Sequence, residues 1–181
     1  DKYADTNANP YADKADNNEA ENINTKAVKR GDTINYQVWL DTNQFDANNK
    51  DNIQTVGITD DYDEAKLEVK ASDIKAYDGK TGADVTDKFD ISIANGVITA
   101  TLKAGFTKSL GDAENTQIID TTKFEFGRYY KFVIPAKVTD GAYDGAEIEN
   151  TAAQVVNYYN PTTKTVEKPN KPTEKRVNNV P

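Results

Sequence analysis

The run Ile34-Asn35-Tyr36-Gln37-Val38-Trp39-Leu40 alternates with a period of two. In an extended strand successive side chains leave on opposite faces, so Ile34, Tyr36, Val38 and Leu40 share one side. A helix would scatter those four around its circumference, which makes a strand the reading that buries them together. Trp39 falls on the other face, so this strand is expected to be covered on both sides. Such a strand needs neighbours, and the chain supplies them. Ile53-Gln54-Thr55-Val56-Gly57-Ile58-Thr59 reads as a second strand ending in Asp60-Asp61-Tyr62-Asp63. Leu67 to Val69 and Ile74 to Tyr77 read as short strands, the latter running into a hairpin-type turn at Asp78-Gly79-Lys80-Thr81-Gly82. Phe89 to Ile93 and Val97 to Leu102 pair across Asn95-Gly96, a strong hairpin signal.

Arg128 to Val138 is a long strand that Pro135 is expected to confine to a sheet edge or a bulge. Glu147 to Val156 is another, continuing through Tyr158-Tyr159. Gly31-Asp32 marks a turn, and residues 104–117 have room for one or two helical turns. Many short strands with regular turns and little helix indicate an all-β sandwich.

The ends differ from this middle. Residues 1–22 are rich in Asp, Asn and Ala with almost no large aliphatic side chain, and read as a polar arm or a first strand held by few contacts. Residues 23–160 form the expected sandwich domain. Residues 161–181, including the basic, proline-punctuated stretch from Lys164 to Arg176, read as an extended strand or linker. The abrupt start and stop suggest a piece of a longer protein.

Composition removes whole classes of function. A net charge of −8 opposes binding to nucleic acid or to anionic membrane surfaces, and no apolar run approaches a membrane span. Without cysteine there is no disulfide, no thiolate nucleophile and no Cys-ligated zinc. Without histidine there is no Ser-His-Asp triad and no usual transition-metal site. Carboxylates, amides, lysines and tyrosines remain. The acidic stretches Asp41 to Asp51 and Asp60 to Asp63 read as calcium loops or as solvated loops, without EF-hand spacing. A two-carboxylate hydrolase using Asp60 and Asp63 lacks any recognisable spacing. The pairs Tyr129-Tyr130 and Tyr158-Tyr159 suit a glycan or partner surface, although in a strand one of each pair belongs to the core.

Asn150 is the unusual residue. It sits inside a strand where Val or Thr is the ordinary choice. Asp60 ends an apolar strand, where an inward carboxylate is costly unless protonated or paired. Together they suit an intramolecular amide bond to a lysine. That reaction needs a neutral amine, a polarised Asn carbonyl and a protonated carboxyl to move protons, with folding supplying proximity. Lys2, Lys14, Lys26 and Lys29 all precede the first strong strand, and composition does not choose among them. The plainer alternatives are a hydrogen-bonded core Asn and an Asp that begins a turn.

Gly31-Asp32, Tyr36-Gln37-Val38-Trp39-Leu40-Asp41, Thr59-Asp60-Asp61-Tyr62, Glu149-Asn150 and the closing Val177-Asn178-Asn179-Val180-Pro181 occur in that order. This set resembles the C-terminal domains of streptococcal antigen I/II adhesins and the related repeat domains of enterococcal aggregation substance, from about residue 23 onward. The resemblance implies an immunoglobulin-like β-sandwich with extra strands and short helical turns. It implies a non-enzymatic, monomeric stalk domain of an extracellular adhesin anchored to a Gram-positive cell wall. Its partners would be neighbouring domains of the same adhesin, and in an alternative reading a host glycoprotein or another bacterium. No cofactor is required, although relatives often carry calcium. The resemblance also implies a self-formed Lys–Asn isopeptide bond beside an Asp. Carried over, the Asp is Asp60 and the Asn is Asn150. The lysine falls about ten residues before Ile23, where this chain has Asp13 with Lys14 adjacent. Lys14 is therefore the expected donor and Lys26 the alternative.

Overall fold

A computed structural model of the protein describes residues 2–5, 27–45, 50–168, 171–172 and 176–179. Among the described residues there are fourteen strands: β1 (Lys2–Asp5), β2 (Thr33–Asp41), β3 (Ile53–Tyr62), β4 (Leu67–Glu68), β5 (Lys75–Asp78), β6 (Phe89–Ala94), β7 (Val97–Leu102), β8 (Thr107–Ser109), β9 (Gln117–Ile119), β10 (Tyr129–Val138), β11 (Glu147–Asn160), β12 (Thr165–Glu167), β13 (Lys171–Pro172) and β14 (Arg176–Asn179). One sheet runs β1-β2-β10, with β4 and β5 laid end to end along the far side of β10. The other runs β11-β3-β7-β6, with β12, β13 and β14 along the outer side of β11. β8 and β9 form a separate hairpin. The inner faces of the two large sheets enclose one apolar core, giving an all-β, immunoglobulin-like sandwich.

The alternation in β2 is realised in full. Ile34, Tyr36, Val38 and Leu40 are completely buried, and opposite them in register lie Ala136, Ile134, Phe132 and Tyr130 of β10. The other face is closed as well. Gln37 and Trp39 of β2 and Lys131 and Val133 of β10 are all buried there. Trp39 meets the edge of Tyr129 at 5.9 Å, and Lys131 Nζ lies 5.5 Å from the indole. At one end of the core Phe124 stacks on Tyr130 at 4.5 Å, while Phe89 stands edge-on to Phe132 at 4.9 Å.

β10 corrects one expectation, because it is an interior strand with β2 on one side and β4 and β5 on the other. Pro135 is tolerated for a local reason. β5 pairs with residues 130–133 of β10 and β4 with Lys137 and Val138, so residues 134–136 face no ladder on that side. A residue without an N–H costs least in such a gap.

The hairpin at Asn95-Gly96 has both residues at positive φ, 52° and 74°, the conformation that matches strand twist in a two-residue turn. Residues 104–117 hold one 3-10 turn, Ala104–Phe106, and then enter the β8–β9 hairpin. Tyr130 is core and Tyr129 half-buried, while Tyr158 packs against the core. The segment after Asn160 turns back through residues 161–164 and lays β12, β13 and β14 against β11.

Candidate functional site

The site is built on the central pair of the second sheet. β3 and β11 run antiparallel, with Asp60 opposite Ala152 and Asn150 opposite Tyr62. Asp60 and Asn150 are thus diagonal neighbours on one face, within reach of each other's side chains. The local sequence fixes which face that is. In β11, Ile148, Asn150 and Ala152 are buried while Glu147, Glu149 and Thr151 are exposed. In β3, Ile58, Asp60 and Tyr62 are buried and Asp61 is exposed. A slip of one residue would turn every one of these apolar groups to solvent. On its other side Asp60 faces the fully buried Ile98 of β7.

Both polar residues therefore point into the core, Asp60 at 0% exposure and Asn150 at 1%. Neither Nδ2 nor Oδ1 of Asn150 makes a hydrogen bond of normal geometry among the described residues. A buried polar group left so costs about 1–3 kcal/mol and calls for an explanation.

A third residue meets them from the opposite sheet. Tyr36, on the inner face of β2, is fully buried. Burial pushes its phenol well above the ordinary range, and the nearby Asp60 carboxylate pushes it further. The Asn150 amide, close enough to donate to a phenolate, works in the opposite direction, and Asp63 adds a small rise. Tyr62, flanking Asn150 in register, is also raised, by burial first and then by Glu64 and Asp60.

The structure thus brings Asp60 and Asn150 together as neighbours on one face. Lys14 and Lys26 lie outside the described residues. Among the described lysines Lys131 is deeply buried at 1%, but it is on the outer face of β10 beside Trp39, turned away from the core that holds Asn150. Asp63 lies past the strand end, where it holds Lys66 Nζ at 2.9 Å and accepts from the Ala65 N–H. Among the described residues no group of three or more acidic side chains converges as a cation site. Residues 46–49 of the Asp41 to Asp51 loop lie outside them. Tyr36 was not among the expected site residues. The signal for it was available, since Tyr36 is the polar-tipped member of an otherwise hydrocarbon inward row.

The enterococcal aggregation substance of Enterococcus faecalis strain V583 is 27% identical over 163 residues, which is 80% of this chain and 11% of that protein. The chain therefore spans about a tenth of that relative. Among solved structures, BcpA, the major pilin subunit of Bacillus cereus, superposes with a TM-score of 0.60 at 18% identity, covering 88% of this chain and 37% of the pilin. The C-terminal domain of AspA, an antigen I/II-family protein of Streptococcus pyogenes, does so with a TM-score of 0.59 at 13% identity, covering 99% of this chain and 45% of the other. These structural likenesses carry the fold. Residues 12–170 match the family described as the cell surface antigen I/II C2 terminal domain, and the chain belongs to that family.

Proposed function

We propose that this chain is a stalk domain of a Gram-positive cell-wall-anchored surface adhesin, stapled internally by a Lys–Asn isopeptide bond that it forms itself. The observation that carries the reading is Asn150, a core amide without an aligned hydrogen bond, beside the fully buried Asp60. Lys14 is the proposed donor and Lys26 the alternative. Family membership and the likeness to aggregation substance support a place on the outer surface of the cell, with neighbouring domains of the same adhesin as partners.

The chemistry is a single transamidation. The lysine, neutral in a dry core, attacks Cγ of Asn150, so one C–N bond forms to Nζ. Collapse of the tetrahedral adduct breaks Cγ–Nδ2. Asp60 takes a proton from the attacking nitrogen and returns it to the departing one, which leaves as ammonia. No redox change and no cofactor are involved. Because the reacting groups are held by the fold, proximity supplies most of the rate and the reaction runs once.

The staple would close a loop of more than a hundred residues. By analogy with a disulfide this stabilises the fold by on the order of 5 kcal/mol. In a chain without cysteine, that bond replaces the usual extracellular cross-link.

Intact mass under denaturing conditions tests the reading. The wild-type chain is expected to weigh one ammonia less than its sequence, and Asn150→Ala and Asp60→Ala should each restore the full mass. Lys14→Ala should do the same. If Lys26→Ala restores it instead, the donor changes and the chemistry stands. A wild-type chain of full mass rules the staple out.

A further inference from the structure

We propose that β1 and β14 form a mechanical clamp, two edge strands that carry tension in shear before the staple is loaded. This rests on the stalk reading and names the elements through which such a domain takes its load.

The direction of four strands fixes the geometry. β1 lies antiparallel to β2, with Lys2 opposite Val38 and Asp5 opposite Asn35. β14 lies antiparallel to β11, with Arg176 opposite Asn150 and Asn179 opposite Glu147. Two contacts between the sheets relate β2 to β11. Just before β2, Arg30 donates to the Ala142 carbonyl oxygen at 2.8 Å and holds Asp144 at 3.0 Å, both just ahead of β11. At the far end of β2, the Asp41 N–H donates to Oε1 of Gln154, midway along β11, at 3.0 Å. β2 and β11 therefore run the same way, one in each sheet. β1 and β14 both run against them, so they are parallel to each other, and they lie side by side at neighbouring sheet edges.

β1 thus starts on the Asp41 side of the sandwich and β14 finishes on the Glu147 side. Tension between the two ends of the chain draws each strand past its partner along the strand axis. In that direction every rung is strained together, because sliding by one residue, about 3.4 Å, takes all the donors off their acceptors. Pulled sideways, the same ladder of four residues opens rung by rung from one end. Sequence order puts both strands outside the staple, since β1 precedes Lys14 and Lys26 and β14 follows Asn150. Load reaches them first.

Single-molecule stretching tests the clamp, and the absence of cysteine lets an introduced cysteine set an attachment point. Asn150→Ala is the host, so that no covalent bond shares the load. Asp140 is exposed in the loop that precedes β11, on the side where β14 finishes. Pulling between Asp140→Cys and the C-terminal end should therefore peel β14, and the first release should come at a lower force than in end-to-end pulling. Val177→Pro and Asn178→Pro give a second measurement. Neighbouring N–H groups in a strand point to opposite sides, so only one of these prolines strips a donor from the β11 ladder. That variant should lower the first end-to-end force, and the other serves as its control. Equal first-release forces in the two pulling directions overturn the clamp, as does an end-to-end force that neither proline changes. A first release seen in wild type but absent from Asn150→Ala would belong to the staple and also overturn it. Intact mass judges the staple and the pulling direction judges the clamp, so either can fall alone.

Discussion

Asp78 and Arg128 show how this protein keeps a charge out of water at the scale of single residues. Arg128 Nη1 donates to Asp78 Oδ2 at 2.7 Å, with about a tenth of each side chain exposed. The other guanidinium nitrogen holds Glu125. Asp78 also accepts from the N–H groups of Lys80 and Thr81, at 2.8 and 3.2 Å, which fixes the turn after β5. Burial alone would raise the Asp78 carboxyl, but these N–H donors and the guanidinium hold it below its ordinary value of 3.8. A carboxyl depressed in the fold contributes stability that is present above its unfolded value and is lost as pH falls through the folded one. Asp78→Ala leaves the buried Arg128 with Glu125 as its remaining carboxylate partner and should cost roughly 1–3 kcal/mol near neutrality. In urea titrations on the Asn150→Ala background, where unfolding is not limited by a staple, that cost should shrink below about pH 4. A difference that stays constant down to about pH 2.5 would remove this account of Asp78.

The same scale shows what the chain disclosed in advance. Asn150 and Asp60 were legible because each interrupts an apolar row at an inward position, and parity alone then places it in the core. Tyr36 was read only as a core residue, although its hydroxyl marks it out within an otherwise hydrocarbon inward row. Lys131 was hidden differently. It shares parity with Trp39, but nothing local announces that the outer face of β10 is covered too.

Among elements, β3 depends on how closely β7 can approach it. A Cβ placed on Gly57 would lie 1.9 Å from the Ala100 carbonyl oxygen, with Thr101 Cα at 2.9 Å. Both obstacles are backbone and cannot swing aside, so Gly57→Ala must spread the two strands. The expected loss is roughly 1–3 kcal/mol, read as a lower urea midpoint in the Asn150→Ala background. An unchanged midpoint would mean the ladder slides freely there. Elements with strict alternation and a local turn signal, β2 and the β6–β7 hairpin above all, were readable from sequence. β10 was readable as a strand but misplaced, since a proline reports one missing donor and says nothing about where neighbouring strands stop. β8 and β9, three residues each, are too short to show a period and owe their place to Ile118 and Ile119, which are buried.

At the scale of the molecule, the proposed staple decides what a pull on the chain can extend. With a lysine near residue 14 or 26 joined to Asn150, everything between them is shielded from a load applied at the ends. In single-molecule stretching, Asn150→Ala should therefore show an unfolding step whose contour gain exceeds that of wild type by on the order of 400 Å. Equal gains in the two chains would show that no covalent bond spans the fold.

The short outer strands have a different consequence, for molecules crowded side by side. Among the described residues the first sheet is bordered by β1, β4 and β5, of four, two and four residues. The second is bordered on one side by β12, β13 and β14, of three, two and four. An incoming chain finds no long, uninterrupted row of donors and acceptors along these borders, which is how natural sheets avoid zipping into one another. Among the described residues β6, with six residues, is the longest such rim, and there Asp90 stands exposed at its second position. Borders of this kind work against edge-to-edge pairing between copies of the domain.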